Sequence, residues 1–575
     1  MADGLRDGIH SPRSTKQKDK GIMEALKVGL LVSSTFSSKY VHELALWAKE
    51  RADIEISHLI VHAPPRGSNL SRVRNVLLEQ GPYVLLSKLF FRLIVFVENL
   101  LLKRNRLHSD HYDVFDLRKL VDEILIINPI VSKSGLVYRF SAEDIEKIKA
   151  LDFDVLIRFG SGIMRGDILR ACRFGIISFH HGDNRINRGG PAGFWECYYQ
   201  WAQTGFIIQR LTEELDAGDV LVRGSYATRY YYSLNQAHLY RKSNTHLKNL
   251  LVRIASTREL PPAENAPNPY SNVLFRAPNA IQCVVYGLKV LKRISIKVIT
   301  RLLMLRKRWG ISLLSSKWDK SVLWRSTEVK PPRGRFWADP FLYSHDGRTF
   351  CFVEDFVYKT GRAHITALEI AGTKAIELGT ALKEPFHMSF PFLFRYQGAL
   401  YMCPEARESG QIRIYRCADF PLKWELRTVI MEDVRAADTM LFERGGKWWM
   451  LTNLDESGAE DHCSELYLFS SDSPLGTNWT PHPQNPVRID AYGGRNAGLI
   501  VDGEKLFRLA QRQGFDQYGQ GLLVYEVKTI SESLFVEELV SKIDPSFRKG
   551  LRGAHHLSTD GKTTVIDHEY YALFL

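Results

Sequence analysis

The residues best placed to do chemistry lie in two stretches of different texture. In the first, the apolar run Gly175-Ile-Ile-Ser178-Phe breaks into a polar, glycine-rich loop, His180-His-Gly-Asp-Asn-Arg-Ile-Asn-Arg188-Gly189-Gly-Pro191. Thirty-six residues after His180, Leu215-Asp216-Ala-Gly-Asp219 puts a carboxylate in a second glycine-bearing loop. An imidazole and a carboxylate at adjacent strand ends is a layout in which α/β folds collect chemistry. The second stretch lies beyond residue 320. There Asp339, Asp438 and Arg495 recur at one position of a repeated unit, and Glu354, Glu405 and Asn453 at another. Polar groups at matched positions of different repeats converge on a common axis. They could act as acids and bases, bind a sugar, or bridge the repeats.

The elements that must position the first set begin with Val28–Val32, Tyr40–Arg51 and Ile54–Val61, which alternate as strand, helix and strand. That opening predicts a doubly wound, mostly parallel sheet. No G-x-G-x-x-G follows the first strand, so dinucleotide binding is not indicated. Asp154-Val-Leu-Ile-Arg-Phe159-Gly160-Ser161-Gly162-Ile163-Met164 supplies a further strand and a glycine turn.

From about residue 320 short aromatic and β-branched runs alternate with glycine turns. The unit Asp339-Pro-Phe-Leu-Tyr, Asp346-Gly347, then Arg-Thr-Phe-Cys-Phe-Val-Glu354 returns around Gly398, Gly446 and Gly503, and in divergent form around Gly561. Each copy predicts a strand, a two-residue turn and a second strand. Hairpins repeating at about fifty residues predict a β-propeller. Five copies predict five blades.

The first stretch resembles the folate-dependent formyltransferases, whose signature reads Asn-x-His, a loop ending Arg-Gly, then Leu-Asp-x-Gly-Asp. The family histidine falls on His180, its Arg-Gly on Arg188-Gly189 and its aspartate on Asp216, while Ser178 occupies the position of the family asparagine. The resemblance spans roughly residues 27–250. It implies a Rossmann-like domain that takes a formyl group from 10-formyltetrahydrofolate and passes it to an amine on a sugar nucleotide or glycolipid. His180 would stabilise the oxyanion or relay a proton, Asp216 would hold its tautomer, and Ser178 would stand in for the missing amide. Phe159, Gly160, Ser161, Gly162, Ile163, Met164, Arg188 and Gly189 would line the cofactor pocket.

Trp337-Ala-Asp339-Pro resembles the first-blade signature of five-bladed glycoside hydrolases such as the family 43 type. The whole repeat region is similar to the N-terminal part of plant glucosamine inositolphosphorylceramide transferases. Glycosidase chemistry needs two carboxylates at a defined separation, and Phe390 stands where the second blade would carry an acid. The alternative to a formyltransferase is therefore a carbohydrate-binding or glycan-processing propeller joined to a repurposed α/β domain.

At 575 residues with a formal charge of +13, the chain is too long for one core and suits an anionic partner. Seven scattered cysteines fit a reducing compartment, and no secretion signal is seen, which predicts a cytoplasmic protein. The domain plan is a polar tail over 1–25, the formyltransferase-like domain over 26–257, a linker over 258–320 and the propeller over 321–575. The linker carries apolar residues at helical spacing from Ile281 to Leu305 with Lys and Arg between them. It reads as a helix packed on a domain, or as one lying on an anionic membrane at the inner face. Tyr83–Leu102 is apolar, but Lys88, Arg92 and Glu98 argue against a spanning helix. The positive charge sits in tail and linker rather than interleaved with aromatics, which argues against nucleic acid. His555, His556 and His568 have no Cys or carboxylate at ligand spacing beside them, so no metal is expected.

Overall fold

The structure is a computed structural model that describes residues 24–62, 77–78, 81–133, 135–160, 162–214, 217–264 and 269–573. The expected tail therefore lies almost wholly outside the described residues, as do Ser161 and Asp216.

The first half is built on a seven-stranded mixed sheet. Its strands are β1 (Leu26–Val32), β2 (Ile54–His62), β3 (Glu123–Ile127), β4 (Val155–Phe159), β5 (Ile176–His180), β6 (Gln203–Arg210) and β7 (Asp219–Ala227), in the order β7-β6-β5-β4-β1-β2-β3. The five strands from β5 to β3 are parallel, and β6 and β7 are antiparallel additions. β1 reads as one apolar run because it is buried on both faces. Val28, Leu30 and Val32 join one core cluster, with Val41 and Leu44 of α1 (Lys39–Lys49), and Leu31 joins the other, with Ile145 and Ile148 of α3 (Ala142–Lys149). The first cluster is also covered by Leu247, Leu251 and Ile254 of the long helix α5 (Tyr232–Thr257). The chain leaves β1 towards β2 and β3 on one side and returns to β4 and β5 on the other. The topological switch thus falls between β1 and β4, where such sheets open a crevice at their carboxyl ends.

The second half is all β. Four-stranded sheets start at Arg335, Ser389 and Asn496 and a five-stranded one at Ala436, and their first strands touch in turn. The ring is closed by a fifth sheet made from both sides of the repeat region. Leu557–Thr559 pairs with Thr564–Leu573, which pairs with Leu305–Leu314, which in turn pairs with Thr327–Val329. The boundary expected at 320/321 is therefore corrected: Leu305–Leu314 belongs to the fifth blade. Its ten pairs with the last strand tie the two ends of the ring together.

The hairpin turns follow the sequence in three blades. Asp346-Gly347, Gln397-Gly398 and Gly445-Gly446 all have positive φ at both residues, the twist that suits a two-residue hairpin. In the fourth blade Asp502 pairs with Lys505, so the turn is Gly503-Glu504. The fifth departs from expectation. Thr559 pairs with Thr564 across a four-residue loop, in which Asp560 Oδ1 accepts from Lys562 N at 2.9 Å and Thr563 N at 2.7 Å.

Candidate functional site

Two centres take shape, one at the strand ends of the α/β half and one on the propeller axis. The first is a cavity of about 370 Å³ at the β1/β4 switch point. Ser33 and Ser34 after β1, Ser37 and Ser38 before α1, Arg158 and Gly160 of the β4 end, and Ser178 line it. Ser178 sits opposite Arg158 in the parallel ladder, and its Oγ accepts from Arg158 Nη1 at 3.4 Å. Arg158 also donates to the carbonyl of Gly162.

His180 lies on the same face of β5 as Ser178, and its Nε2 is 2.6 Å from the carbonyl oxygen of Asn187. A carbonyl can only accept, so Nε2 carries the proton and a neutral ring keeps its lone pair on Nδ1. The loop makes this contact possible because residue 182 is glycine; a Cβ there would lie 2.9 Å from His180 Nε2. The neighbouring ring, His181, lines the cavity, tilted over Tyr240 with centroids 4.1 Å apart, and burial pushes its pKa down to about 3. The sequence argument missed Glu196. It is buried in the short helix α4 (Phe194–Tyr199), and burial raises its carboxyl to about 7, with Asn187 opposing part of that rise. Asn187 thus faces both the imidazole and a buried acid. Only the fold brings Glu196 there, since nothing in its spacing marks it.

The remaining residues expected around the cofactor divide. Phe159 and Gly160 line the cavity. Ile163 and Met164 do not: they form a short strand against Val137–Arg139, and Met164 enters the core. Arg188 and Gly189 are turned to the segment after α5. Arg188 lies over the Tyr270 ring, 4.8 Å from its centroid. A Cβ at Gly189 would fall 1.9 Å from the carbonyl oxygen of Phe275. The glycine is required by that close approach, and both residues anchor the linker.

The second centre is a buried cluster of charged groups. Asp339, Phe390 and Asp438 all have φ between 46° and 48°, each at a register shift in the first strand of its blade. Non-glycine residues rarely adopt that conformation, and its repetition in three blades marks a built feature. Arg495 Nε lies 2.6 Å from Asp438 Oδ2 and Nη2 3.5 Å from Glu405 Oε2, so one guanidinium holds the acids of two blades. Gln511 Nε2 donates to Asp438 Oδ2 at 3.1 Å. Burial raises Asp438 to about 6, with Arg495 opposing and Glu405 adding. Asp339 is also raised by burial, opposed by His555, and its Oδ2 accepts from Phe390 N at 3.2 Å. Glu354 lies 3.3 Å from His387 Nε2.

Asn453 is the exception among the six expected axial residues. Its Nδ2 donates to the carbonyls of Glu465 and Gly494, and its Oδ1 accepts from Asn496 N. It joins third and fourth blades and offers nothing to the axis.

His555 gains what its sequence neighbours lack. Its Nδ1 pairs with Asp567, and Nε2 is 3.7 Å from Asp339 Oδ1. Donor atoms of these three residues lie within 4.8 Å of one another. The carboxylates are already engaged, however: Asp567 Oδ1 accepts from the backbone N–H of His555 and His556, and Oδ2 from that of Asp339. Burial opposes the charge on His555, and Asp567 and Asp339 outweigh it, raising its pKa to about 9.

A buried ionic contact fixes the two centres relative to each other. Lys242 of α5 is fully buried, with Nζ 2.8 Å from Glu465 and 3.5 Å from Asp455 of the third blade. Asp461 on the same loop pairs with Arg229 at 2.8 Å and His238 at 2.7 Å. The loop continues through His462 and Cys463, both within electrostatic reach of Arg495.

Residues 325–559 match the family described as glucosamine inositolphosphorylceramide transferase 1, N-terminal. The Arabidopsis thaliana protein named glucosamine inositolphosphorylceramide transferase 1 is 35% identical over 227 residues, 37% of this chain and 28% of that protein. This chain therefore spans less than a third of that relative's length. Among solved structures, the catalytic domain of Coprinopsis cinerea GH62 alpha-L-arabinofuranosidase is 14% identical with a TM-score of 0.32, over 45% of this chain and 96% of its own. Glycinamide ribonucleotide transformylase 1 from Symbiobacterium toebii is 13% identical with a TM-score of 0.27, over 41% of this chain and 90% of its own. The sequence likeness to the plant transferases falls on the propeller, where it takes in Asp339, Glu405, Asp438, Arg495 and His555.

Proposed function

We propose that this protein is a transferase of sugar or glycolipid assembly, in which the propeller axis holds a sugar unit and the strand-end cavity performs the transfer. The observation that carries this reading is the axial cluster, Arg495 held between Asp438 and Glu405 with Asp339 beside it. Carboxylates and a guanidinium held in place are the groups that recognise a hydroxyl-rich ligand with directional hydrogen bonds. The relatives named as inositolphosphorylceramide transferases, which match this same segment, support an acceptor of the glycolipid class.

For the α/β half the proposed chemistry is formyl transfer to an amine. When bound, 10-formyltetrahydrofolate supplies an electrophilic one-carbon carbonyl. The residues present fit such a group in part. Gly160 leaves room where a Cβ would meet Ser33 Oγ at 2.6 Å, and the buried Oγ of Ser33 has no hydrogen-bond partner among the described residues. Ser178 and Arg158 offer hydrogen-bonding groups at the cavity wall, and His180, two residues along β5 from Ser178, would relay the proton of the attacking amine. Asp216 would stabilise the imidazolium so formed by accepting from its second N–H.

Calorimetric titration of the full chain with a stable 10-formyltetrahydrofolate analogue tests this chemistry. Micromolar binding that weakens in Arg158→Ala and persists in Asp438→Asn supports it. Absence of binding by folded protein removes the formyl donor. A glycan array then tests the sugar site on its own, because Asp438→Asn and Arg495→Met should each abolish any glycan signal.

A further inference from the structure

Two helices far apart in sequence, α2 (Pro82–Leu102) and α6 (Ala280–Leu302), lie against each other on the outside of the α/β half. Polar contacts set their rotation. Ser87 Oγ accepts from Ala280 N at 3.0 Å, and buried Glu98 accepts from Tyr286 Oη at 2.5 Å and from Ser233 N at 2.7 Å. With those faces turned inward, Phe91, Val95 and Val290 cover the aromatic cluster of Phe194 and Trp195.

The opposite faces are apolar too, and among the described residues nothing covers them. Along α2, Leu86, Leu89, Leu93, Phe96 and Leu100 recur at spacings of three and four and are all exposed, Phe96 at 60%. Along α6, Ile281, Val284, Leu288 and Leu291 recur at the same spacings and Val298 and Leu302 resume the stripe beyond Ser295, all exposed and reaching 76% at Leu302. A water-soluble monomer rarely leaves two adjacent stripes of this length uncovered.

Charge says what covers them. Residues 280–308 contain no Asp or Glu, and Lys292, Lys297 and Arg301 are exposed around the apolar stripe. Residues 82–107 contain one acid, Glu98, and it is buried, whereas Arg92, Lys103 and Arg104 are exposed. A second copy docked here would set two cationic rims together with no acid on either helix to pair them. A bilayer carrying anionic lipid supplies both an apolar phase and a complementary charge. Among the described residues, no helix is long and apolar enough to cross a membrane. We propose that α2 and α6 form one membrane-docking face that lies in the plane of an anionic bilayer surface, apolar stripes down and cations at the headgroups. This inference stands apart from the transfer chemistry proposed above and survives its failure.

The test is co-sedimentation of the full chain with vesicles of phosphatidylcholine alone and of phosphatidylcholine containing phosphatidylserine. Binding is expected to the anionic vesicles and to weaken with salt. Each of Lys297→Gln and Arg301→Gln should lower the partition coefficient about fivefold. The double variant Leu93→Glu/Leu291→Glu should abolish binding. Its side chains point outward, so its thermal midpoint should stay near wild type. If that variant misfolds, the two Gln variants and the salt dependence decide. Failure of wild type to bind anionic vesicles, or binding indifferent to these substitutions, overturns the proposal. A concentration-dependent dimer dispersed by Leu93→Glu would assign the face to a second copy and overturn it equally.

Discussion

Replacing Lys242 with Met should uncouple the two halves of the molecule. The ammonium is fully buried on α5 and faces Glu465 at 2.8 Å and Asp455 at 3.5 Å, both carboxylates themselves buried. Methionine fills much the same volume but leaves two carboxylates without their cation. Removing one partner from a buried pair costs about 3–5 kcal/mol, which corresponds to roughly a hundredfold to a few thousandfold in the local opening equilibrium at 1.36 kcal/mol per tenfold. Native-state hydrogen exchange reads that equilibrium directly, as faster exchange in the Asp455–Glu465 loop and along the facing stretch of α5. Amides in the first and second blades should be unaffected. The double variant Lys242→Met/Glu465→Gln removes charge from both sides and should recover part of the loss. The contact also has a pH signature. Burial opposes the charge on Asp461, and Arg229, Lys242 and His238 outweigh it and hold its pKa well below the usual range. Its stabilisation is therefore present above the unfolded value near 4 and lost as pH falls below it. Exchange in the loop changed less than about tenfold in folded Lys242→Met would refute the cluster's role in joining the domains.

Three further outcomes are expected. Glu196 is raised by burial from 4.5 to about 7, so its favourable term holds at low pH and is lost as pH rises through 7; Glu196→Gln should remove that slope and gain about 3 kcal/mol near pH 8 by urea denaturation, at 1.36 kcal/mol per pH unit. Asp567 is lowered and His555 raised to about 9, so their pair stabilises the fifth blade from above about pH 4 up to about pH 9. Asp567→Asn should cost about 3–5 kcal/mol inside that window and little below it, seen in the pH dependence of the denaturation midpoint. Gly189→Ala should push the Phe275 segment off the loop, because its Cβ would sit 1.9 Å from a backbone oxygen. Limited proteolysis should then cut between residues 269 and 279 faster than in wild type, with blade fragments unchanged.

Much of the propeller is legible in the sequence because its signals are local. Alternating burial has a period of two, and a two-residue turn demands positive φ, so Asp346-Gly347, Gln397-Gly398 and Gly445-Gly446 announce hairpins in the chain itself. The same locality explains the fifth blade. Half of that sheet, Leu305–Leu314 and Thr327–Val329, lies before the first repeat and carries no copy of the unit. No periodicity could assign it, since ring closure is a long-range pairing. In the first half β1, β2, β4 and β5 were legible as apolar runs, whereas β3 and β7 carry exposed or half-buried positions that break the run and were not singled out.

The candidate sites divide along the same line. The resemblance to the formyltransferase signature selected Ser178, the strand-end loop His180, and repeat position Asp339, Glu354, Glu405, Asp438 and Arg495, because blade symmetry transmits local order into space. Sequence alone could not show that Asn453 spends its hydrogen bonds between blades, or that Gly189 is held by a backbone oxygen from residue 275. Nor could it bring Asp567 and Asp339 to His555, Glu196 to Asn187, or α2 against α6. Those meetings depend on the three-dimensional path of segments far apart in the chain. Charge and burial there are properties of the neighbours, which only the tertiary structure supplies.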